Sequence, residues 1–150
     1  MDDQKRRARD NARTPMQWSA AANAGFTTGT PWLKINPNYP QVNVAAEDKN
    51  PESVLNYFRR AVAVRHAHQV LVYGKYQLLD ADNPNIYAYT RTLGAEKALI
   101  VLNFSPEKHD WAMPTGFTAS GQPWLNNYPA FATGSTLALQ PWQAVVVPLR

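Results

Sequence analysis

Residues 9 to 49 run for some forty positions with neither a helical nor a strand period, and they hold Gly25, Gly29, Pro31, Pro37 and Pro40. A loop that long is uncommon in a compact domain unless it is functional, so its length alone predicts that it was shaped against another body of structure. Residues 1–8 carry no pattern and read as an irregular arm. Regular periods begin at Asn50-Pro51-Glu52, where Asn50 suits an N-cap, Pro51 the first helical position and Glu52 the positive end of the dipole. From there Val54, Leu55, Phe58, Ala61, Val62 and Arg65 recur at three- and four-residue spacing, which predicts one helix with a single apolar stripe; Val64 falls off that stripe. Arg65, His66 and His68 crowd its end, where cations meet unsatisfied carbonyls, and the two histidines share no helical face, which argues against a metal pair. After residue 69 the period falls to two. Strands are expected at 70–73, 76–79, 86–91, 98–104, 109–112, near 124–125, at 135–139 and at 144–149, separated by Gly, Asn, Asp and Pro turns. Short strands spaced so closely pair antiparallel, and this many make a β-sandwich.

Inside the loop, Arg9-Asp10-Asn11-Ala12-Arg13-Thr14-Pro15-Met16-Gln17-Trp18 gathers charge, hydrogen-bonding groups and an aromatic ring. Pro15 fixes its own φ, lacks a donor and pushes Thr14 towards extended backbone, so 13–16 should be a stiff turn able to aim side chains. Arg13 offers a planar fork of donors, Asp10 only accepts at neutral pH, Asn11 and Gln17 do both, and Trp18 offers an apolar plate. That set suits the hydroxyls and ring face of a sugar or polyol. A second reading stays open on chemistry alone: a surface loop in which Asp10 pairs with Arg9 or Arg13 merely to hold its shape.

Composition narrows the function classes. With 150 residues, 45% of them hydrophobic and 17% charged, the chain can bury one good core and is expected to be a soluble globular protein. No apolar run is long enough for a membrane span, and the basic N-terminus has no apolar segment behind it as a secretory signal would, so a cytoplasmic protein without a membrane partner is expected. The absence of cysteine removes disulfides, zinc–thiolate sites and thiol nucleophiles. Lys5, Arg6, Arg7 and Arg9 supply much of the +4 net charge, but no groove-binding motif accompanies them and the other bases are scattered among acids, so no nucleic-acid partner is expected. Neither a cofactor motif nor a metal-binding spacing is present, and none of either kind is expected.

The loop motif, followed by Asn23-Ala24-Gly25-Phe26-Thr27-Thr28-Gly29, then Pro31-Trp32 and Asn36-Pro37-Asn38-Tyr39, resembles the last active-site loop of the α-glucosidase and oligo-1,6-glucosidase branch of the α-amylase glycoside hydrolase family. The likeness continues through Asn50-Pro51-Glu52-Ser53-Val54 to Leu139-Gln140-Pro141-Trp142-Gln143-Ala144, which is similar to that family's penultimate turn and final strand, and so covers nearly the whole chain. The resemblance implies a mainly β chain with one helix. Residues 1–68 would be the end of a (β/α)8 barrel, its last active-site loop and last helix, and 69–150 a C-terminal antiparallel β-sandwich. It also implies that Arg13 reaches the non-reducing-end glucose, with Arg9 and Asp10 either contacting sugar or bracing the loop. The partners implied are short α-glucosides of the maltose, isomaltose or sucrose type, together with an N-terminal barrel that this sequence lacks.

Retaining glycoside hydrolysis needs two carboxyl groups facing each other across the scissile bond. None of the eleven acids stands in a context like the family's catalytic strand ends. Asp80 follows an apolar strand, but Ala81-Asp82-Asn83-Pro84-Asn85 behind it is turn chemistry. The resemblance places the catalytic carboxylates on earlier barrel strands, so no catalytic residue is assigned here, and this chain alone should hydrolyse nothing although the parent enzyme does. A non-enzymatic alternative is a standalone β-sandwich that binds carbohydrate or another partner, with Trp111, Trp124 and Trp142 as sugar platforms. Tryptophans in small sandwiches more often fill the core or seal its ends.

Overall fold

The computed structural model describes residues 13–132 and 134–150. Backbone contacts divide the chain into two compact units, Met1–Arg59 and Arg60–Arg150.

The long loop of the first unit is held by side-chain amides rather than by regular structure. Gln17 donates to Asn38 Oδ1 at 3.0 Å and to the Val42 carbonyl, while Asn23 donates to the carbonyls of Thr27 and Gly29 at 3.1 and 2.9 Å. A 3-10 turn at Ala22–Gly25 takes Asn23, Ala24 and Gly25 into left-handed backbone, and the Ala24 carbonyl accepts from both Trp18 and Ser19 N–H. The loop is shorter than its sequence suggests. It ends in a helix, α1 at Val44–Lys49, whose N-cap Asn43 accepts from Ala46 N–H and donates to the Tyr39 carbonyl.

The second helix, α2, spans Val54–Ala67 and starts later than expected. Asn50 is not its N-cap but the residue that closes α1, because Pro51 disfavours helical backbone at the position before it. The Ser53 hydroxyl takes over, accepting from Asn56 N–H at 3.2 Å and donating to the Glu47 carbonyl at 2.7 Å. No residue of α2 is buried, and its apolar stripe is open, with Val54 81% and Phe58 63% exposed. Val64, expected off the stripe, is the α2 residue that packs against the small core of the second unit.

That second unit opens with a further departure. Residues 70–73 are not a strand but a one-turn helix, α3 at Val70–Tyr73, with Val70 and Leu71 buried. A four-residue apolar run has no period to read, and here burial under a sheet decides it. Gly74 ends α3. A Cβ at this position would meet the Val70 carbonyl oxygen and approach the Thr92 nitrogen at 3.1 Å. Alanine restricts the unfolded chain by about 0.4–1 kcal/mol, less than the roughly 1–3 kcal/mol of overpacking against fixed backbone. Gly74→Ala should therefore destabilise this unit, which a chemical denaturation midpoint measures.

Seven strands follow among the described residues, all paired antiparallel: β1 Lys75–Leu79, β2 Ile86–Leu93, β3 Glu96–Asn103, β4 His109–Ala112, β5 Leu125–Asn126, β6 Thr136–Leu139 and β7 Ala144–Leu149. They form a five-stranded sheet in the order β1-β2-β3-β7-β5 and a two-stranded sheet of β4 and β6. Leu99, Val101, Val145 and Val147 on one face of the large sheet meet Trp111, Leu137 and Leu139 of the small one, which makes the main core. On the opposite face Ala98 and Ile100 pack against Val70 and Leu71. Covering both faces explains why β3 reads Ala98-Leu99-Ile100-Val101-Leu102 without alternation, whereas β2 alternates.

Three tyrosines share the face of the large sheet beside α3. The hydroxyls of Tyr76 and Tyr87 are 3.0 Å apart, and the Tyr89 ring lies 5.1 and 5.3 Å from the two. The hydrogen bond to Tyr87, with burial second, pushes Tyr76 from 10.0 up to about 12. A folded-state value above the unfolded one stabilises the neutral phenol, so this contribution is complete below pH 10 and is lost as pH climbs towards about 12. Tyr87→Phe should bring the Tyr76 ionisation back towards its ordinary range in an ultraviolet phenolate titration.

Candidate functional site

Of the three residues expected to meet a sugar, Arg9 and Asp10 lie outside the described residues. Arg13 is exposed, and its guanidinium carbon sits 5.4 Å from the centroid of the Trp32 ring. That distance falls within the range in which a cation is attracted by an aromatic face. Two residues on, Pro15 is buried, so the turn that carries Arg13 is anchored by its proline. The next segment is tied down too: Gln17 bonds Asn38 and Val42, and its carbonyl accepts from Val44 N–H at the start of α1.

The aromatic partner differs from the expected one. Trp18 is half exposed, but the ring beneath Arg13 belongs to Trp32, which is 70% exposed. The two residues are far apart in sequence and no period links them, so the only signal was a tryptophan fixed behind Pro31 in a segment with no core to fill. Beside this turn lies an open, mainly apolar cleft of about 490 Å³, lined by Pro15, Met16, Val42, Val44, Val54 and Leu55 among others.

Several acids are tied to structural tasks. Asp80, in left-handed backbone, accepts from Trp111 Nε1 at 3.0 Å and from Asn83 at 2.8 Å, as a turn residue would. Glu47 accepts from Leu55 N–H, Asp48 pairs with Arg59, and Glu96 lies 3.4 Å from His68 Nδ1. Ser105 and His109 are 2.8 Å apart, which superficially suggests a nucleophile and its base. The Ser105 hydroxyl, however, is buried and also bonds the N–H and carbonyl of Glu107, so it builds the turn after β3. Among the described residues, no group of three or more His, Cys, Asp or Glu could hold a metal ion. Among the described residues, no helix is long and apolar enough to cross a membrane.

The tryptophans offered as sugar platforms separate. Trp111 is buried in the main core and presents no open face, whereas Trp124 is half-buried with one face stacked on His68, ring centroids 3.5 Å apart. Trp142 is 57% exposed.

Comparison with known proteins now adds to this geometry. Residues 1–74 match the model for the alpha amylase catalytic domain, and residues 76–146 match that for the maltogenic amylase C-terminal domain. The oligo-1,6-glucosidase of Parageobacillus thermoglucosidasius is 42% identical over 147 residues, covering 96% of this chain and 26% of the relative. Among solved structures, the isomaltulose synthase of Erwinia rhapontici NX5, crystallised with D-glucose and also with sucrose as its natural substrate, superposes with a TM-score of 0.89 at 47% identity over 95% of this chain and 26% of its own. The trehalulose synthase of Pseudomonas mesoacidophila MX-45 gives a TM-score of 0.89 at 42% identity over the same shares. The chain thus spans about a quarter of the length of the relatives it matches. A loop rich in amide clips, a short helical segment and an antiparallel β domain, in that order, agree with both family matches: the chain belongs to the α-amylase family of glycoside hydrolases, as the C-terminal part of an oligo-1,6-glucosidase-like member.

Proposed function

We propose that this chain is the C-terminal part of an α-glucosidase-type hydrolase that cleaves short α-linked glucosides with retention of configuration. Residues 1–68 complete the catalytic barrel, and 69–150 form a supporting β domain. In this reading the catalytic carboxylates come from the barrel, and the chain by itself is inactive. Its contribution to the active site is Arg13, which donates from its fork to hydroxyls of the non-reducing-end glucose, while Arg9 and Asp10 either contact sugar or brace the loop. The observation that carries the reading is an exposed guanidinium on a proline-anchored turn, resting on an open indole face in a loop fixed by amide hydrogen bonds. Arginine left exposed on a stiff turn is suited to recognition, because little freedom remains to be lost when a ligand binds. The enzyme works in the cytoplasm without metal or cofactor.

A second reading is favoured by the solved relatives, which include isomaltulose and trehalulose synthases at 41–47% identity. On that reading the glucosyl group passes from sucrose back to fructose instead of to water. Both readings are tested by product analysis of the full-length protein with isomaltose, maltose and sucrose. Glucose released from isomaltose or maltose supports the hydrolase, and a new glucosyl-fructose from sucrose supports the isomerase. Inertness towards all three would overturn both.

A further inference from the structure

We propose that Trp32 is a positioning residue for Arg13: it holds the guanidinium in the orientation in which the arginine meets glucose. The proposal rests on the reading of Arg13 given above.

Three observations lead to it. Trp32 is one of the most exposed large apolar side chains among the described residues, so no core formed by these residues explains its placement. One face of that ring carries the guanidinium at 5.4 Å, and tryptophan has the strongest attraction for a cation among the aromatic side chains. The backbone on either side of Trp32 is fastened independently of the ring. Upstream, Asn23 ties the carbonyls of Thr27 and Gly29, and Pro31 stiffens the approach; downstream, Asn36 Oδ1 accepts from Asn38 N–H, and Asn38 Oδ1 accepts from Gln17. Gln17 lies four residues after Arg13, so the same amide fixes both the turn that carries the cation and the loop that carries the plate.

The physical consequence concerns freedom rather than charge. An arginine on a bare turn samples many rotamers, and each hydrogen bond to a sugar must then order it. With its guanidinium carbon over a fixed indole, the side chain has already given up part of that freedom before a ligand arrives. A leucine at 32 would fill similar space but offer no negative face. Phenylalanine would keep a weaker one.

The test uses the full-length protein with Trp32→Phe, Trp32→Leu, Arg13→Ala and the double variant Trp32→Leu/Arg13→Ala, following kcat and KM on the glucoside it turns over best. Melting temperatures are followed alongside, so that a loss of fold is told apart from a loss of positioning. Trp32→Leu should lower kcat/KM about threefold to thirtyfold, and Trp32→Phe should retain most of the activity. In the Arg13→Ala background, Trp32→Leu should add less than about twofold, since the group it positions is gone. Independent, multiplicative losses in the double variant would overturn the proposal, and so would a silent Trp32→Leu beside a damaging Arg13→Ala; in either case the Arg13 reading survives. A silent Arg13→Ala would overturn both.

Discussion

Arg13→Ala is expected to reduce kcat/KM for the preferred short α-glucoside roughly tenfold to more than a hundredfold, with KM raised and kcat lowered together. The estimate follows from the loss of a charged hydrogen bond worth about 1.5–3 kcal/mol, at about 1.4 kcal/mol per decade of rate. Both constants should move because a group holding the non-reducing glucose contacts bound substrate and also fixes the ring as it distorts towards the transition state. Arg13→Lys separates charge from shape. It keeps a cation near Trp32 but loses the planar fork, so it should recover only part of the activity. Steady-state kinetics on maltose and isomaltose would measure all three enzymes. A change in KM alone would assign Arg13 to uniform binding, and kinetics unchanged in both constants would falsify its role.

In the β domain the largest single loss should come from Trp111→Ala. The indole lies in the core between the two sheets, and its Nε1 donates to Asp80 at 3.0 Å. Truncating a core tryptophan costs about 3–5 kcal/mol, a large fraction of the roughly 5–15 kcal/mol that holds a typical domain together. The domain should be marginal or unfolded at room temperature, as seen by circular dichroism in a urea titration. Asp80→Asn isolates the polar part. Asparagine keeps an acceptor for the indole N–H and adopts left-handed backbone readily, and Asp80 has a φ of 50°, so the substitution should be nearly neutral. Asp80→Ala loses the acceptor and strains the turn, for about 1–3 kcal/mol. If Asp80→Asn instead abolished activity of the full-length protein while leaving its stability intact, the structural assignment of Asp80 would be wrong.

The sandwich was legible because alternation and turn residues reported on both the strands and their limits. Residues 109–112 and 144–149 have the bounds expected of them, since Trp111 alternates inwards in one and Val145, Val147 and Leu149 in the other. Residues 70–73 were not legible: Val70-Leu71-Val72-Tyr73 has β-rich composition but too few positions to show a period, and a sheet face that needed covering decided in favour of a helical turn. The start of α2 was misplaced because Asn50-Pro51-Glu52 carries an N-terminal signature that α1 had already used as its end. In the loop, the sequence alone marked Arg13 through Pro15, but the contact with Trp32 depends on how Gln17, Asn23 and Asn38 close the chain in three dimensions, and a linear pattern holds no record of that.

The position of β7 has a bearing on how the domain is made. Strands β1, β2 and β3 are neighbours both along the chain and in the sheet, so they can zip together as soon as they leave the ribosome, whereas β7 is synthesised after all the others and yet lies between β3 and β5. Until it arrives, the apolar edge of β3 is bare and the nascent sheet is open to pairing with a stranger. Speed of closure at that late step, more than the strength of any one contact, should govern how much of the newly made protein escapes aggregation.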